Sequence, residues 1–427
     1  MLNSIIIISC KLISLISKKL NLGHGSTWPG HIALKLNPNF INQILNKSRT
    51  KVILITGTNG KTTTAKLLET ILETNGKKVI LNSSGANLLN GIASTIIMNS
   101  NLNGNLEVDF AIFEIDENTL SQITKTVEPT YIIALNLFRD QLDRYGEIDT
   151  IAKKWKEAYA KLTKTQFILN ADDPQIAYLG NNLKTAHYFG LDSKGNNITQ
   201  HASDSILCPK CANHLTFRAH YFSHLGDWGC SKCGLNRPER EMQKDLYLPL
   251  MGAYAIYDIQ AAALLASLIG FKKAQINQGL KSFKPAFGRQ EIIKIDDKNI
   301  QLFLSKNPTS FNESLRTIAE NKADNLLIVL NDRIPDGTDV SWIWDIDFET
   351  LIKKGMNLYL AGDRVYDLAL RIKYAGVKIL GENVFENLSE AIGKGILETS
   401  TNKTLYILPT YSAMLESRKI ITGKKIL

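Results

Sequence analysis

No apolar run in this 427-residue sequence is long enough to cross a bilayer. The nearest candidate is the N-terminal stretch MLNSIIIISCKLISLISKKL, which Lys11 interrupts. The SKKLNLGHG that follows offers no small-residue cleavage site of the kind a secretory leader needs. An amphipathic helix is expected there, either packed on a core or resting on a membrane surface. Cysteine is scarce: there are five, and four fall in two Cys-x-x-Cys pairs. That is not the even, scattered set of a secreted disulfide scaffold, and it points to a reducing cytoplasm. No G-x-S-x-G elbow occurs, and the fifth cysteine, Cys10, sits in the apolar N-terminal segment. A hydrolase using its own Ser or Cys nucleophile is therefore disfavoured. Internal repeats and low-complexity linkers are also missing. Charge of one sign is not in great excess, with 50 Lys and Arg against 41 Asp and Glu. The resulting +9 suits an anionic substrate (nucleotide, phosphorylated lipid or nucleic acid) without choosing among them.

The chain is too long for one core, so two or three domains are expected. KVILITG is an apolar run ending in Gly, and TTTAKLLETILETNG follows with helical periodicity, which predicts strand, turn and helix. KKVILNSSG, DFAIFEID, TYIIALNL and TQFILNADDP supply four more strand signals. Short apolar strands alternating with helices predict a parallel sheet covered on both faces, with the ligand at the carboxyl ends of the strands. A cysteine-bearing block interrupts the pattern before the helical run LPLMGAYAIYDIQAAALLASLIG. A second α/β unit is expected from near Phe287–Glu291, with strands in NIQLFLSKNP, ADNLLIVLND, GMNLYLAGD, KIL and TLYILPTYS. The expected division is a helical lead-in over 1–48, a central parallel-sheet domain over 49–288 with an insertion at 201–243, and a smaller α/β domain over 289–427.

Three motifs carry chemistry. In Gly57-Thr58-Asn59-Gly60-Lys61-Thr62-Thr63, backbone N–H groups can close on phosphate oxygens, Lys61 can pair with the β and γ phosphates, and Thr62 can reach Mg²⁺. The spacing is not the full G-x-x-x-x-G-K-T, because Ile55 stands where the first glycine would be. Glu114, at the end of the third strand, can hold Mg²⁺ opposite the phosphates, with Asp116 and Glu117 as weaker candidates. Cys208, Cys211, Cys230 and Cys233 form two knuckles eighteen residues apart, which can grip one tetrahedral ion. Four thiolates leave no open position, so such a site is structural, and His214, His220 and His224 within the block are not expected to compete. A fourth stretch, Asn331 to Asp345, is acidic and aromatic. It can position a carboxylate and present a flat apolar surface to a partner, or be a solvated loop.

These motifs, in this order, resemble the Mur ligase superfamily. TGTNGKTTT is similar to its ATP loop, and NSSGANLLNGI, FEIDE, LNLFRDQLDRYGE, LNADDP and MGAYAIYDIQAA follow as in its central domain. The four-cysteine ribbon, AGDRVYDLALRIKYAGV, LPTYSAML and DGTDVSWIWDIDFE resemble the MurT family more closely. The resemblance implies ATP-dependent amidation of the D-glutamate α-carboxylate in the lipid II stem peptide, through an acyl phosphate. The ammonia would come from a GatD-like glutaminase partner. It implies ATP and Mg²⁺ as cofactors and Zn²⁺ in the ribbon. By matched position, Gly57, Thr58, Asn59, Gly60, Lys61, Thr62, Thr63, Asn170, Asp173 and Arg289 would meet the nucleotide, and Glu114 would meet Mg²⁺. Asp339, with Asp336 as the alternative, would complete the partner's Cys–His pair. Three positions depart from the superfamily pattern: Gln141 where a histidine is common, and Ala255 and Asp258 where asparagines are usual, the second facing adenine. Lys153 is the match for a lysine that Mur ligases carbamylate, with Lys154 beside it.

Two other readings compete. A ligase that adds an amino acid would share the ATP loop but should lack the DGTDVSW and LPTYSAML motifs. A nucleic-acid-binding ATPase would read its ligand through the ribbon, but the ribbon has no dense Lys/Arg face with interleaved aromatics.

Overall fold

The computed structural model describes residues 2–19, 27–82, 86–139, 148–191, 204–353 and 355–423. Three helices lead in: α1 (Leu2–Lys19), α2 (Trp28–Leu36) and α3 (Phe40–Lys47). The first sheet holds β1 (Lys51–Thr56), β2 (Val79–Leu81), β3 (Phe110–Glu114), β4 (Tyr131–Ala134), β5 (Gln166–Asn170) and β6 (Ala186–Phe189). Its order is β2-β3-β1-β4-β5-β6, and every pair is parallel. The central strands are apolar on both faces because both faces are covered. On one face lie α1–α3, α5 (Leu89–Asn99), α6 (Glu117–Ile123) and α7 (Ile148–Tyr159), around Trp155, Phe113 and Phe167. On the other lie α4 (Lys61–Thr74), α9 (Ala253–Ile269) and α10 (Lys273–Ser282). Between α7 and α9 comes the short α8 (Pro174–Leu179), started by Pro174 and capped by the Asp173 side chain.

The cysteine block folds as a two-stranded antiparallel hairpin, β7 (Thr216–Phe222) and β8 (Leu225–Gly229). The second sheet runs β12-β11-β13-β10-β9, where β9 is Arg289–Ile295, β10 Lys298–Phe303, β11 Asn325–Val329, β12 Asn357–Ala361 and β13 Thr404–Pro409. Only the β9–β10 pair is antiparallel. Its helices are α11 (Pro308–Glu320), α12 (Phe348–Leu351), α13 (Val365–Tyr374), α14 (Leu388–Glu398) and α15 (Tyr411–Thr422).

One local expectation fails, and two local features carried no signal of their own. Residues 378–380, KIL, form no strand; the fifth strand of the second sheet is β9, whose alternating sequence RQEIIKI leaves one face partly exposed. Strand β6 has only four residues and too little apolar content to signal itself. The stretch after β11 is no open loop throughout: residues Ser341–Asp345 make a 3-10 turn, with Trp342 packed on Phe311 and Trp344 half-exposed.

Candidate active site and metal centre

Strand β1 delivers the chain into Gly57–Gly60 at the carboxyl edge of the first sheet, and α4 starts at Lys61. Gly60 has φ +90°, in the left-handed region, and a β-carbon there would lie 2.1 Å from the Asp258 carboxylate oxygen. Only glycine fits that approach. The loop is braced by the segment after β4. Asn59 N–H donates to Asn136 Oδ1 at 2.9 Å, Asn136 Nδ2 donates to Asn59 O at 3.1 Å, and Phe138 N–H donates to Thr58 Oγ1 at 3.0 Å. The loop geometry is thus held by the fold before any ligand arrives.

Lys61 is buried, with Nζ donating to Gly57 O and to Thr58 O at 3.3 Å, and 3.4 Å from Glu117. Thr62 Oγ1 donates to Glu114 Oε2 at 2.8 Å, and Asn82 and Asn87 hold Glu114 from behind. A hydroxyl and a carboxylate meeting at the start of the helix are a donor set that a hard divalent cation such as Mg²⁺ can use. Burial pushes the Glu117 carboxyl up to about 7 although Lys61 partly offsets it, and Asp116 adds to the rise. Glu117 is then neutral in the folded chain up to about pH 7 but ionises near 4.5 when unfolded. Its contribution to stability is therefore intact below about 4.5 and is lost as pH rises to about 7. Glu117→Gln should raise the melting temperature at pH 8 and leave it nearly unchanged at pH 4.5, as calorimetry at the two pH values would show.

From the loop a cleft of about 750 Å³, counting its open mouth, runs between the two sheets. Asn59, Gly60, Thr63 and Arg289 line it, together with the apolar side chains Phe138, Phe222, Leu250 and Tyr257. Arg289 is set by its neighbour. Gln290, at φ +60°, accepts from Met251 N–H at 2.9 Å and donates to Met251 O at 2.7 Å, which ties β9 to the start of α9. From the second sheet Asn307, the N-cap of α11, donates to Asn59 Oδ1 at 3.1 Å. The glycine loop and the second sheet therefore touch directly.

Several expected residues have other surroundings. Asn170 donates to Leu135 O at 2.8 Å, and Asp173 accepts from Leu137 N–H at 2.8 Å and from Gln175 and Ile176 N–H. Both are fully buried, and neither lines the cleft. Asp258 does line it, and burial holds its carboxyl well above the usual range. A neutral carboxyl both donates and accepts, as an asparagine amide does. Ala255 is buried in α9. Lys153 is exposed on α7, whereas Lys154 reaches Asn118 at 3.3 Å. Gln141 lies outside the described residues.

Cys208, Cys211, Cys230 and Cys233 converge so that all four Sγ atoms lie within 4.8 Å of one another. Cys208–Cys233 and Cys211–Cys230 are each 3.6 Å apart, close to the ~3.8 Å edge of a tetrahedron with Zn–S of about 2.3 Å. Each knuckle closes on its own backbone: Ala212 N–H donates to Cys208 O and Gly234 N–H to Cys230 O. The N–H groups of Cys233 and Lys232 pull the Cys230 thiol down to about 6, whereas burial pushes the Cys208 thiol up to about 12, so the cluster does not ionise as a whole without a cation to hold its charge. The donor set fits a closed structural site. His214 is exposed, His220 stacks on Phe217, and His224 is buried with Nε2 3.4 Å from Asp173.

The hairpin that leaves these knuckles reaches back to the cleft. Gly226 N–H donates to Asp172 O, Trp228 Nε1 donates to Ala171 O at 3.1 Å, and Arg237 pairs with Asp172. At its tip Phe222 stacks on Phe138 and meets Tyr257 edge-on at 5.6 Å. Phe138, Phe222, Tyr257 and Asn307 were not singled out from the sequence. An aromatic beside a loop looks like any core residue until the topology shows which cavity it borders.

The two parallel-type sheets, the glycine loop and the cleft between them define a Mur-ligase-type protein. Residues 55–266 match the Mur ligase middle domain and residues 304–414 match the MurT ligase C-terminal family. The chain belongs to the MurT family. It is 32% identical, over 95% of its length and 94% of the relative's, to the lipid II isoglutaminyl synthase (glutamine-hydrolyzing) subunit MurT of Streptococcus pneumoniae. The subunit of the same name in Staphylococcus aureus strain COL is 30% identical over 83% of this chain and 84% of its own. In fold the chain is similar to a pseudomurein peptide ligase type C from Methanothermus fervidus, with a TM-score of 0.64 and 23% identity over 88% of this chain and 79% of that one. It is also similar to MurF from Thermotoga maritima solved with ADP, with a TM-score of 0.60 and 13% identity over 92% of this chain and 83% of that one.

Proposed function

We propose that this chain is the synthetase subunit of a glutamine-dependent amidating ligase. It activates the α-carboxylate of D-glutamate in the lipid II stem peptide and converts it to the amide of D-isoglutamine. The observation that carries the reading is the phosphate-type loop meeting a MurT-type C-terminal unit at Asn59–Asn307. A carboxylate is a poor electrophile. One of its oxygens attacks the γ-phosphorus of ATP, ADP leaves, and an acyl phosphate forms. Ammonia then attacks the carbonyl carbon, phosphate leaves with the C–O electron pair, and the nitrogen loses a proton. Lys61 and the loop N–H groups stabilise the charge that builds on the phosphoryl oxygens. Thr62 and Glu114 would hold Mg²⁺, which neutralises phosphate charge when bound. Arg289, which lines the cleft from β9, would meet the phosphates. Zn²⁺ is the proposed ion of the four-cysteine site.

Free ammonia is scarce at neutral pH, so a glutaminase partner of the GatD kind would deliver it. The proposed contact is the segment after β11. There Ile334 is 91% exposed, and Trp344 and Tyr374 form an exposed ring pair at 5.6 Å. The two candidate aspartates differ in kind. Asp336 is buried and accepts from both Ser412 N–H (2.8 Å) and Ser412 Oγ, so it holds the start of α15. Asp339 is exposed, and its Oδ1 accepts from Ser341 N–H at 2.8 Å, a bond that lowers its pKa. An ionised, accessible carboxylate is what a partner's histidine needs. Asp339→Asn should cut glutamine hydrolysis in the complex at least about tenfold with an unchanged melting temperature. Asp336→Asn should lower the melting temperature instead. Equal glutaminase rates in wild type and Asp339→Asn would reject the assignment.

The reading as a whole is tested by mixing the chain with a GatD-type glutaminase, lipid II, ATP and glutamine. The acid-to-amide mass change should require all five components. Turnover with a free amino acid and no glutaminase would favour an amino-acid-adding ligase.

A further inference from the structure

Helix α1 has two apolar faces. Ile6, Ile7 and Cys10 are buried against the first sheet's helices, and Cys10 Sγ lies 3.4 Å from Pro29 O. On the opposite side Leu2, Ile5, Leu12, Leu15 and Ile16 are each between 50 and 65% exposed, with Ile8 and Ile13 beside them. Their spacing of three and four residues makes a continuous stripe, not scattered surface residues. Helix α2 runs antiparallel alongside, with Asn37 donating to Asn3 at 2.8 Å, and it leaves Trp28 and Leu36 exposed at its two ends.

Charge around the stripe has one sign. The first 68 residues contain no Asp or Glu; Glu69 is the first. Lys11, Lys18, Lys19 and Lys35 lie in α1 and α2; Lys35 is exposed, and Lys11 Nζ donates to Ser100 O at 2.5 Å. Lys47 and Arg49 sit further off, beside Glu107 and Asp109. An apolar stripe on helices that carry lysines and no acid is the pattern of a helix that lies in the surface of an anionic bilayer. No described helix is long and apolar enough to cross one.

We propose that α1, with the flanking end of α2, is a peripheral docking surface for anionic lipid membranes. The stripe enters the acyl boundary, and the positive charge of the two helices is drawn to phosphate headgroups. Neither observation depends on the acceptor proposed above, although a lipid-linked acceptor would be found at such a surface.

The full chain is sedimented with vesicles of phosphatidylglycerol and phosphatidylcholine, and with phosphatidylcholine alone. Binding should appear on the anionic vesicles and weaken at high salt. The double variant Leu12→Gln, Leu15→Gln should lose at least tenfold in partitioning at an unchanged melting temperature. Lys18→Gln with Lys19→Gln should lose several-fold on the anionic vesicles only. No binding to anionic vesicles would overturn the proposal, as would full binding by Leu12→Gln, Leu15→Gln. A wild-type dimer that this variant converts to monomer, without any vesicle binding, would overturn it in favour of a second copy as the occupant.

Discussion

Lys61→Ala should abolish ATP-dependent amidation while leaving the chain folded and able to bind its glutaminase partner. A loss of at least about a thousandfold is expected, on the order of 4 kcal/mol of transition-state stabilisation. Lys61 Nζ is held by Gly57 O, Thr58 O and Glu117, all of them on or beside the loop. Lys306, in the segment after β10, also bears on the Glu117 charge, but it is not part of the loop. Folding should survive because Asn136 and Phe138 brace the loop independently of Lys61. Removing the ammonium also removes the charge facing Glu117, which is pushed toward neutrality by burial in any case. The pairing of measurements matters: single-turnover acyl-phosphate formation should vanish, and gel filtration with the partner should show an intact complex. Loss of the complex would assign Lys61 a structural part, and retained turnover would remove the loop from the chemistry.

The sequence announced features made by consecutive residues and hid those made by distant ones. Gly57–Thr63 carried its own signal because glycines, Lys61 and the following helical periodicity adjoin. The four cysteines did so because only a metal gives that spacing a purpose. Strand β1 was legible as an apolar run, whereas β9 was not, since an edge strand half open to solvent alternates and is short of apolar residues. Asp336 and Asp339, three residues apart, could not be told apart along the chain. They separate once α15 is seen to start against Asp336, 76 residues away in sequence. The same holds for Asn170 and Asp173. Their motif was legible, but the groups they serve, Leu135 O and Leu137 N–H, come from the neighbouring strand's exit.

Removing the proposed Zn²⁺ from the four-cysteine site should weaken nucleotide binding as well as lower stability. Knuckle and cleft are joined by one hairpin: Cys230 directly follows β8, and β7 ends in Phe222, which lines the cleft. Phosphates belong at the glycine loop, and the base is expected to stack in the same cleft on Phe222, beside Phe138 and Tyr257. A base stacked on such a ring gains about 1–3 kcal/mol. Phe222→Ala should therefore weaken ADP binding about tenfold or more while sparing inorganic tripolyphosphate, which needs only the loop. Cys230→Ser should lose the metal, melt at a lower temperature and show the same selective loss for ADP. Trp228 and Arg237 still anchor the hairpin to Ala171 and Asp172, so the rest of the sheet should stay folded. Calorimetric titration of both ligands separates the outcomes. Equal losses for ADP and tripolyphosphate would mean that the ribbon supports the whole fold and not the base. Unchanged ADP affinity in Phe222→Ala would place the base elsewhere in the cleft. The position of the insertion within the chain supports the selective loss: it leaves the sheet after β6 and rejoins before α9, so its tip returns to the cleft that α9 borders.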